Sequence, residues 1–250
     1  MHPSKSSPTE LIPVGVSSCL MGERVRYDGE HKKNATLLQE LGPLVEFKSF
    51  CPEVSIGLGV PRTPILLLRK KNGDIRCVNA DDNSKDYTEE LEKCCDQQRS
   101  WQETLCGYVF KKNSPSCGIA KVKVSDGNKV AYEGSGVYAR KLMEDFPYLP
   151  VEEEEGLADE SLRENFLQRV FALYRWKKLN EAGVTVSSIE NFHGSHSLLI
   201  MAHSKENYQG LGNLIATAVN ENLESIAEKY LLDFMATLKQ PVKRENHDSQ

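Results

Sequence analysis

The chain has 250 residues, of which 39% are hydrophobic and 27% charged, and carries a formal net charge of −5. That length accommodates one large domain or two modest ones with proper cores, and the composition is that of an ordinary globular protein. The acidic balance gives no signal for a nucleic-acid partner, and apolar runs such as Ile65-Leu66-Leu67-Leu68 are far too short to cross a bilayer. Residues 1–10 lack the apolar region of a signal peptide and read as a disordered leader, so a cytoplasmic location is expected.

In chain order, Ile12 to Leu20 reads as a buried strand ending in Ser17-Ser18-Cys19. Val25-Arg26-Tyr27-Asp28-Gly29 is a turn signal, and a helix starts near Asn34 and covers Leu37, Leu38 and Leu41. Val45 to Phe50 is a second strand, which stops at Cys51-Pro52-Glu53. The Gly-rich loop Gly57 to Arg62 leads to an apolar strand, Ile65 to Leu68, which turns near Asn72-Gly73 into Ile75 to Val78 as a hairpin. Tyr87 to about Gly107 reads as one long helix. Tyr108-Val109-Phe110 is a further strand and runs into Lys112-Asn113-Ser114-Pro115-Ser116-Cys117-Gly118. Gly134 and Gly136 open a helix containing Tyr138, Leu142 and Met143, and Pro147 to Val151 is a last short strand. Strands alternating with helices predict a Rossmann-like α/β domain with a mostly parallel sheet, over residues 11–158.

Glu152 to Glu155 reads as a solvated boundary. Beyond it the strand signal stops. Leu162 to Leu179 and Ile189 to Leu238, joined by Gly183-Val184-Thr185-Val186, show helical periodicity, so an all-α domain is expected over 159–240 with a flexible tail, 241–250.

Seven cysteines, an odd number with no secretion signal, speak against a disulfide framework. Cys19, Cys51 and Cys117 share one setting: each follows a predicted strand, in a turn built from Ser, Pro or Gly. In a parallel sheet the C-terminal strand ends line one edge, where ligands bind, so distant cysteines there can converge. Three thiolates suit an iron–sulfur cluster, and a missing fourth ligand leaves one metal position open. Spacing alone leaves three unrelated buried cysteines equally open. Cys77, Cys94, Cys95 and Cys106 read as packing residues.

The motifs Ser17-Ser18-Cys19-Leu20-Met21-Gly22 with Val25 to Gly29, Cys51-Pro52-Glu53-Val54 followed by Gly57-Leu58 and Pro61-Arg62, and Asn113 to Gly118 resemble those of the thiouracil desulfurase family, over about Val14 to Val151. The resemblance implies a 4Fe–4S cluster held by Cys19, Cys51 and Cys117, whose open iron takes the sulfur of a thiocarbonyl substrate such as a thiolated pyrimidine. The implied reaction is a redox-neutral, lyase-like desulfuration in which an open iron polarises the C=S bond and water attacks the carbon. On that basis Glu53 is the candidate general acid/base, with a solvated loop carboxylate as its rival reading. Ser114 is the catalytic candidate to hydrogen-bond or protonate the heterocycle, with Ser116 as its rival and turn capping as the plainer role of either. Asp28 and Arg62 are candidates to support the substrate site, or simply to cap a turn and hold a loop. Lys112 reads as solvated.

The region Phe192-His193, His196, Ile200 to Ser204, Tyr208 and Leu211-Gly212 resembles the YbgA-type helical domain. Ser197 stands where that family has a lysine, and the chain stops soon after Asn246-His247, which implies a shortened domain or one whose core a partner completes. On one continuous helix His193, His196 and His203 would fall within an arc of about 80°. A polar face satisfied by hydrogen bonds is favoured there over a metal pair. The expected partners are thus a small thiolated molecule and no membrane, with self-association left open. The alternative function is a non-enzymatic metal- or cluster-binding protein, structural or sensory, whose helical domain contacts a partner.

Overall fold

A computed structural model describes residues 11–127 and 129–240; the expected leader and tail lie outside the described residues. Two compact units form, one of 11–146 with 151–163, the other of 147–150 with 164–240.

The first unit is built on β1 (Ile12–Ser17), buried along nearly all its length because strands flank it on both sides. β1 pairs in parallel with β2 (Val45–Phe50), from Ile12 opposite Val45 to Ser17 opposite Phe50, and on its other side with β5 (Tyr108–Phe110). β8 (Val151–Glu153) adds to β5 in parallel, giving the order β2-β1-β5-β8. Gly15 makes β1 possible at its centre: a Cβ there would stand 2.3 Å from Cδ2 of Tyr108, whose ring lies across the strand.

Between these strands run a 3-10 turn (Ser18–Met21), α1 (Ala35–Glu40), α2 (Pro52–Ser55), α3 (Thr88–Gln97), α4 (Arg99–Gln102) and α5 (Val137–Asp145). Asn34 caps α1 by accepting from Leu37 N at 2.9 Å. A second sheet, ordered β4-β3-β6-β7, joins β3 (Ile65–Arg69), β4 (Ile75–Asn79), β6 (Val122–Ser125) and β7 (Val130–Gly134). β3 pairs with β6 in parallel, while β3–β4 and β6–β7 are antiparallel hairpins. Ile65, Leu67, Val122 and Val124 pack with Cys77, Leu91 and Val137 into one buried cluster.

The α/β region followed by helices is the expected architecture, with three local corrections. The β6–β7 hairpin, and with it the second sheet, was not anticipated. The predicted helix from Tyr87 stops at Gln97 and restarts only as the single turn α4. The last strand is Val151–Glu153 rather than Pro147 to Val151; Pro147 and Pro150 bring no N–H to a ladder, so pairing with β5 starts after them.

The second unit contains most of α6 (Glu160–Glu181), then α7 (Val186–Ser195), α8 (Ser197–His203), α9 (Lys205–Ala216) and α10 (Leu223–Lys239). Thr185 opens α7 with a reciprocal capping box, its hydroxyl accepting from Ser188 N while Ser188 Oγ accepts from Thr185 N. Trp176, Phe192, Tyr230 and Phe234 form the aromatic core, with Trp176 stacked on Tyr230 at 5.4 Å and edge-on to Phe192 at 5.1 Å.

The continuous helix assumed for the three histidines does not exist. His196 caps the end of α7, and Ser204 caps α9 after His203 ends α8. Each ring has its own partner: His193 Nδ1 lies 3.2 Å from the Tyr230 hydroxyl, His196 Nδ1 donates to Phe192 O at 2.8 Å, and His203 Nδ1 donates to Gln240 O at 2.6 Å.

Burial lowers the pKa of both His193 and His196, and Arg175 adds to this at His196 against the bond to Phe192 O. The unfolded chain therefore binds more protons as pH falls below the ordinary imidazole value of about 6.5. Stability is fully present above that value and declines below it, levelling off once the folded imidazoles also titrate. The melting temperature of this unit should fall between neutral pH and mild acid, and less steeply in a His193→Gln/His196→Asn double variant; equal slopes would contradict the assignment.

Candidate active site

Three parallel strands that end in register deliver Cys19, Cys51 and Cys117 to one cavity. Cys19 follows β1 inside the 3-10 turn, its carbonyl accepting from Lys32 N at 2.9 Å. Cys51 follows β2 as the residue before α2, whose first position is Pro52. Cys117 follows β5 after a loop in which Asn113 takes a left-handed φ of 59°, a conformation Asn tolerates well. All three line a cavity of about 710 Å³, together with Ser17, Ser18, Arg26, Tyr27, Glu53, Arg62, Lys111 and Ser114, among others. Cys77, Cys94, Cys95 and Cys106 are all nearly inaccessible and none belongs to that wall.

The Cys117 loop is clamped from two sides. At the start of α5, Val137 N donates to Pro115 O at 3.0 Å, Ala139 N to Ser116 O at 3.1 Å and Gly136 N to Gly118 O at 2.7 Å. First-turn N–H groups have no partner within their own helix, so the loop carbonyls satisfy them. Gly136 is required by closeness: a Cβ would meet Ser116 C at 2.4 Å and Cys117 N at 2.5 Å. On the other side Glu153 accepts from Ile119 N at 2.9 Å, while buried Glu154 accepts from Lys112 N at 2.7 Å and pairs with Lys111 Nζ. The acidic run Glu152 to Glu155 is therefore not the solvated boundary it was read as. Glu153 at the end of β8 and Glu154 just after it both turn their carboxylates onto the loop, while Glu155 pairs with Lys112 at 2.6 Å at the exposed surface.

Glu53 and the two serines form one hydrogen-bonded chain. Arg62 donates to Glu53 Oε2 from Nη2 at 2.7 Å and from Nε at 3.1 Å, and from Nη1 to Gly59 O at 2.7 Å. The other carboxylate oxygen, Oε1, accepts from Ser116 Oγ at 2.6 Å. Ser116 Oγ and Ser114 Oγ are 3.0 Å apart. Because Ser116 gives its only proton to the carboxylate, Ser114 is the donor in that contact. Ser114 Oγ also accepts from Cys117 N at 3.1 Å. Glu53, Ser114 and Arg62 face the cavity, whereas Ser116 is buried and links them. Asp28 is elsewhere: exposed, it accepts from Glu30 N at 3.1 Å and from Arg26 Nη2 at 3.3 Å, and so holds the Tyr-Asp-Gly turn. The cavity residues that sequence reasoning passed over are Arg26 and Lys111. The only local hints were their places inside the Val-Arg-Tyr-Asp-Gly motif and at the end of β5.

Burial foremost, then Cys51, pushes the Cys19 thiol up to about 11, with Lys111 and Arg26 pulling against it. Burial raises Cys51 as well, opposed by the Val54 and Glu53 N–H groups and by Arg62. Cys117 is raised by burial and further by Cys51, Glu53 and Cys19. Three thiols that disfavour one another's charge become stable thiolates together only around a cation. Among the described residues no three His, Cys, Asp or Glu side chains stand close enough to hold a single metal ion. A donor set of sulfur alone fits an iron–sulfur cluster, whose cysteine ligands sit on different irons.

This is a cysteine-lined α/β site at the ends of parallel strands. The profile of the 2-thiouracil desulfurase family matches residues 14–154, more than half of the chain, and the chain belongs to that family. A second profile, the protein family of unknown function DUF1722, matches 198–249. An uncharacterized protein of Bacillus subtilis (strain 168), YbbK, is 29% identical over 137 residues, which are 51% of this chain and 87% of YbbK. An uncharacterized protein of Escherichia coli (strain K12), YbgA, is 29% identical over 82 residues, 32% of this chain. The chain spans about half the length of YbgA, 48%. A solved structure of a [4Fe-4S]-dependent thiouracil desulfidase, TudS, aligns over 59% of this chain and 93% of that one, at 28% identity and a TM-score of 0.47. Among the described residues no helix is long and apolar enough to cross a membrane.

Gly136→Ala should push the Cys117 loop off α5 and cost about 1–3 kcal/mol, read as a lower melting temperature and faster alkylation of Cys117. Gly210→Ala, in α9 with nothing within 4 Å of its Cβ position, should instead be neutral or stabilising by about 0.5–1 kcal/mol.

Proposed function

We propose that Cys19, Cys51 and Cys117 hold a 4Fe–4S cluster with one open iron, and that the chain removes sulfur from a thiocarbonyl compound such as a thiolated pyrimidine without net redox change. The observation that carries this reading is the convergence of three strand-end thiols on one cavity that also presents Glu53 and Ser114. Membership of the 2-thiouracil desulfurase family supports the same reaction, and the cavity is of a size usual for small-molecule sites.

The overall change is C=S plus water to C=O plus hydrogen sulfide. A C–O bond forms, the C–S bond breaks and no electrons change hands. When bound, the cluster supplies a Lewis acid that draws electron density from the C=S bond. The chain's own residues position the substrate and move the protons. Ser114 Oγ faces the cavity and hydrogen-bonds the heterocycle. Glu53 accepts a proton from the attacking water, directly or through Ser114 and Ser116, whose hydroxyls already form a continuous path to Oε1. Arg62 fixes the plane of that carboxylate from the opposite side. Its side chain and that of Glu53 are only 7% and 14% exposed, so the pair is held rigidly and away from bulk water. Lys111, lining the cavity and paired with buried Glu154, places positive potential beside Cys19, which suits a site that gathers thiolates.

Anaerobic reconstitution with iron and sulfide tests the ligand set. Serine at Cys19, Cys51 or Cys117 should each abolish cluster retention, read as iron per chain and visible charge-transfer absorbance, whereas serine at Cys94 or Cys95 should not. Equal effects at all five positions would defeat the assignment. A colourless protein that takes up only zinc would defeat the enzyme reading as well.

Glu53→Gln should keep the cluster but lower sulfide release from 2-thiouracil by about 10²–10⁴-fold per loaded cluster. Normalising to cluster content separates this from the destabilisation expected when Arg62 loses its partner. Full activity in that variant would remove Glu53 from the mechanism.

A further inference from the structure

The turn Val25-Arg26-Tyr27-Asp28-Gly29 keeps its acidic residue out of the cysteine cavity and delivers Tyr27 to it instead. Tyr27 lines that cavity and is 41% exposed, and the chemistry described above gives it no task. Large apolar side chains scattered singly over a surface need no explanation. A ring fixed in the wall of a small-molecule cavity is different, because aromatic walls are what such sites use to hold their ligands.

The turn holds this ring in place. Gly29 N donates to Arg26 O at 3.0 Å, Arg26 N donates to Glu30 O at 3.3 Å, and Asp28 accepts from Glu30 N at 3.1 Å. The carbonyl of Tyr27 accepts from Arg62 N at 2.9 Å. Arg62 is also the residue whose side chain fixes the Glu53 carboxylate, so one residue braces both the ring-bearing turn and the carboxylate.

One face of the ring is already taken. The Arg26 guanidinium, itself bonded to Asp28, stands over it 5.3 Å from the centroid, a cation–π contact. That leaves the opposite face and the edge as the surface Tyr27 offers. The other aromatic residue lining the cavity, Phe50, is engaged within the protein, with Trp101 at 5.5 Å and Tyr138 at 5.4 Å. Tyr27 is therefore the wall ring with a face to give.

Resting on the desulfuration reading above, we propose that Tyr27 is a specificity-determining residue whose free face stacks on the heterocycle and selects flat, conjugated thiocarbonyl rings over saturated ones. Stacking requires a flat partner, since a puckered ring lifts atoms out of the contact plane and forfeits their dispersion attraction. Ser114 and Glu53 address the polar edge of the substrate, which a saturated ring carries as well. The stacking face is what tells the two apart.

The test uses the reconstituted full chain with 2-thiouracil and 5,6-dihydro-2-thiouracil, which differ by one ring double bond. Tyr27→Ala should raise KM for 2-thiouracil, and the dissociation constant of uracil read by calorimetry, by about 5- to 100-fold, with kcat little changed. Its KM for the dihydro compound should barely move, so the preference of the parent for the flat ring narrows by the same factor. Where the dihydro compound is not turned over, its inhibition constant takes the place of KM. Tyr27→Leu keeps apolar bulk without a flat face and should resemble Tyr27→Ala, whereas Tyr27→Phe should restore parent binding. Melting temperatures check folding, and if Tyr27→Ala fails to fold, the comparison of Leu with Phe decides. An unchanged preference in Tyr27→Ala, parent-like binding in Tyr27→Leu, or binding in Tyr27→Phe as weak as in Tyr27→Leu would each overturn this proposal, while an active parent leaves the desulfuration reading standing. A parent that neither releases sulfide nor binds uracil would overturn both.

Discussion

Parallel pairing of β1 with a neighbour on each side is the constraint on which the rest of the site depends. Because β1, β2 and β5 run the same way and end in register, the chain must leave all three at one edge of the sheet. Each strand exits into a turn or loop that carries one of the cysteines: Cys19 and Cys51 directly, Cys117 after residues 111–116. An antiparallel neighbour would have sent one of those turns to the far edge, and the three sulfurs could not have shared a cavity. The small residue Gly15 protects this arrangement, since a side chain at the centre of β1 would displace Tyr108 and the strand that leads to Cys117.

Strand ends alone leave loops, and loops need fixing before they can hold a reactive centre. Here charged groups do that work from within the fold. Arg62 and Ser116 hold the two oxygens of Glu53, and Glu153 in β8 with Glu154 just beyond it accept from the loop that bears Cys117. Pairs this buried are worth less as net stability than as geometry, because desolvation offsets much of their attraction. Removing one partner is costly, and that cost keeps the cavity wall in one conformation. The same side chains that pin the loops form the hydrogen-bonded chain from Glu53 through Ser116 to Ser114, the route proposed for the proton, so rigidity and the proposed chemistry draw on one set of contacts.

The helical unit follows a different logic. Its histidines, which on a straight helix would face one way, are divided by the break at His196, with His193 in α7 and His203 ending α8. His193 and His196 close hydrogen bonds beside the aromatic core of Trp176, Tyr230 and Phe234, while His203 closes one to Gln240 O.

Local chemistry was legible without coordinates wherever it repeats over a few residues. The alternation of strands and helices, the strand-end position of Cys19, Cys51 and Cys117, and the turn residues around them all depend on neighbours in the chain, so periodicity and turn propensity reveal them. The β6–β7 hairpin escaped notice because its strands are short and half exposed, and the breaks at His196 and Ser204 because apolar spacing continues across them. Which side chains meet was decided by the tertiary fold alone. Ser116 reaches Glu53 across 63 residues of sequence, and Lys111 reaches Glu154 across 43; no local pattern encodes either contact. Three cysteines and a carboxylate could be named from the chain, but their shared cavity, and the hydrogen-bonded chain from Arg62 through Glu53 and Ser116 to Ser114, arise only when parallel strands are laid side by side.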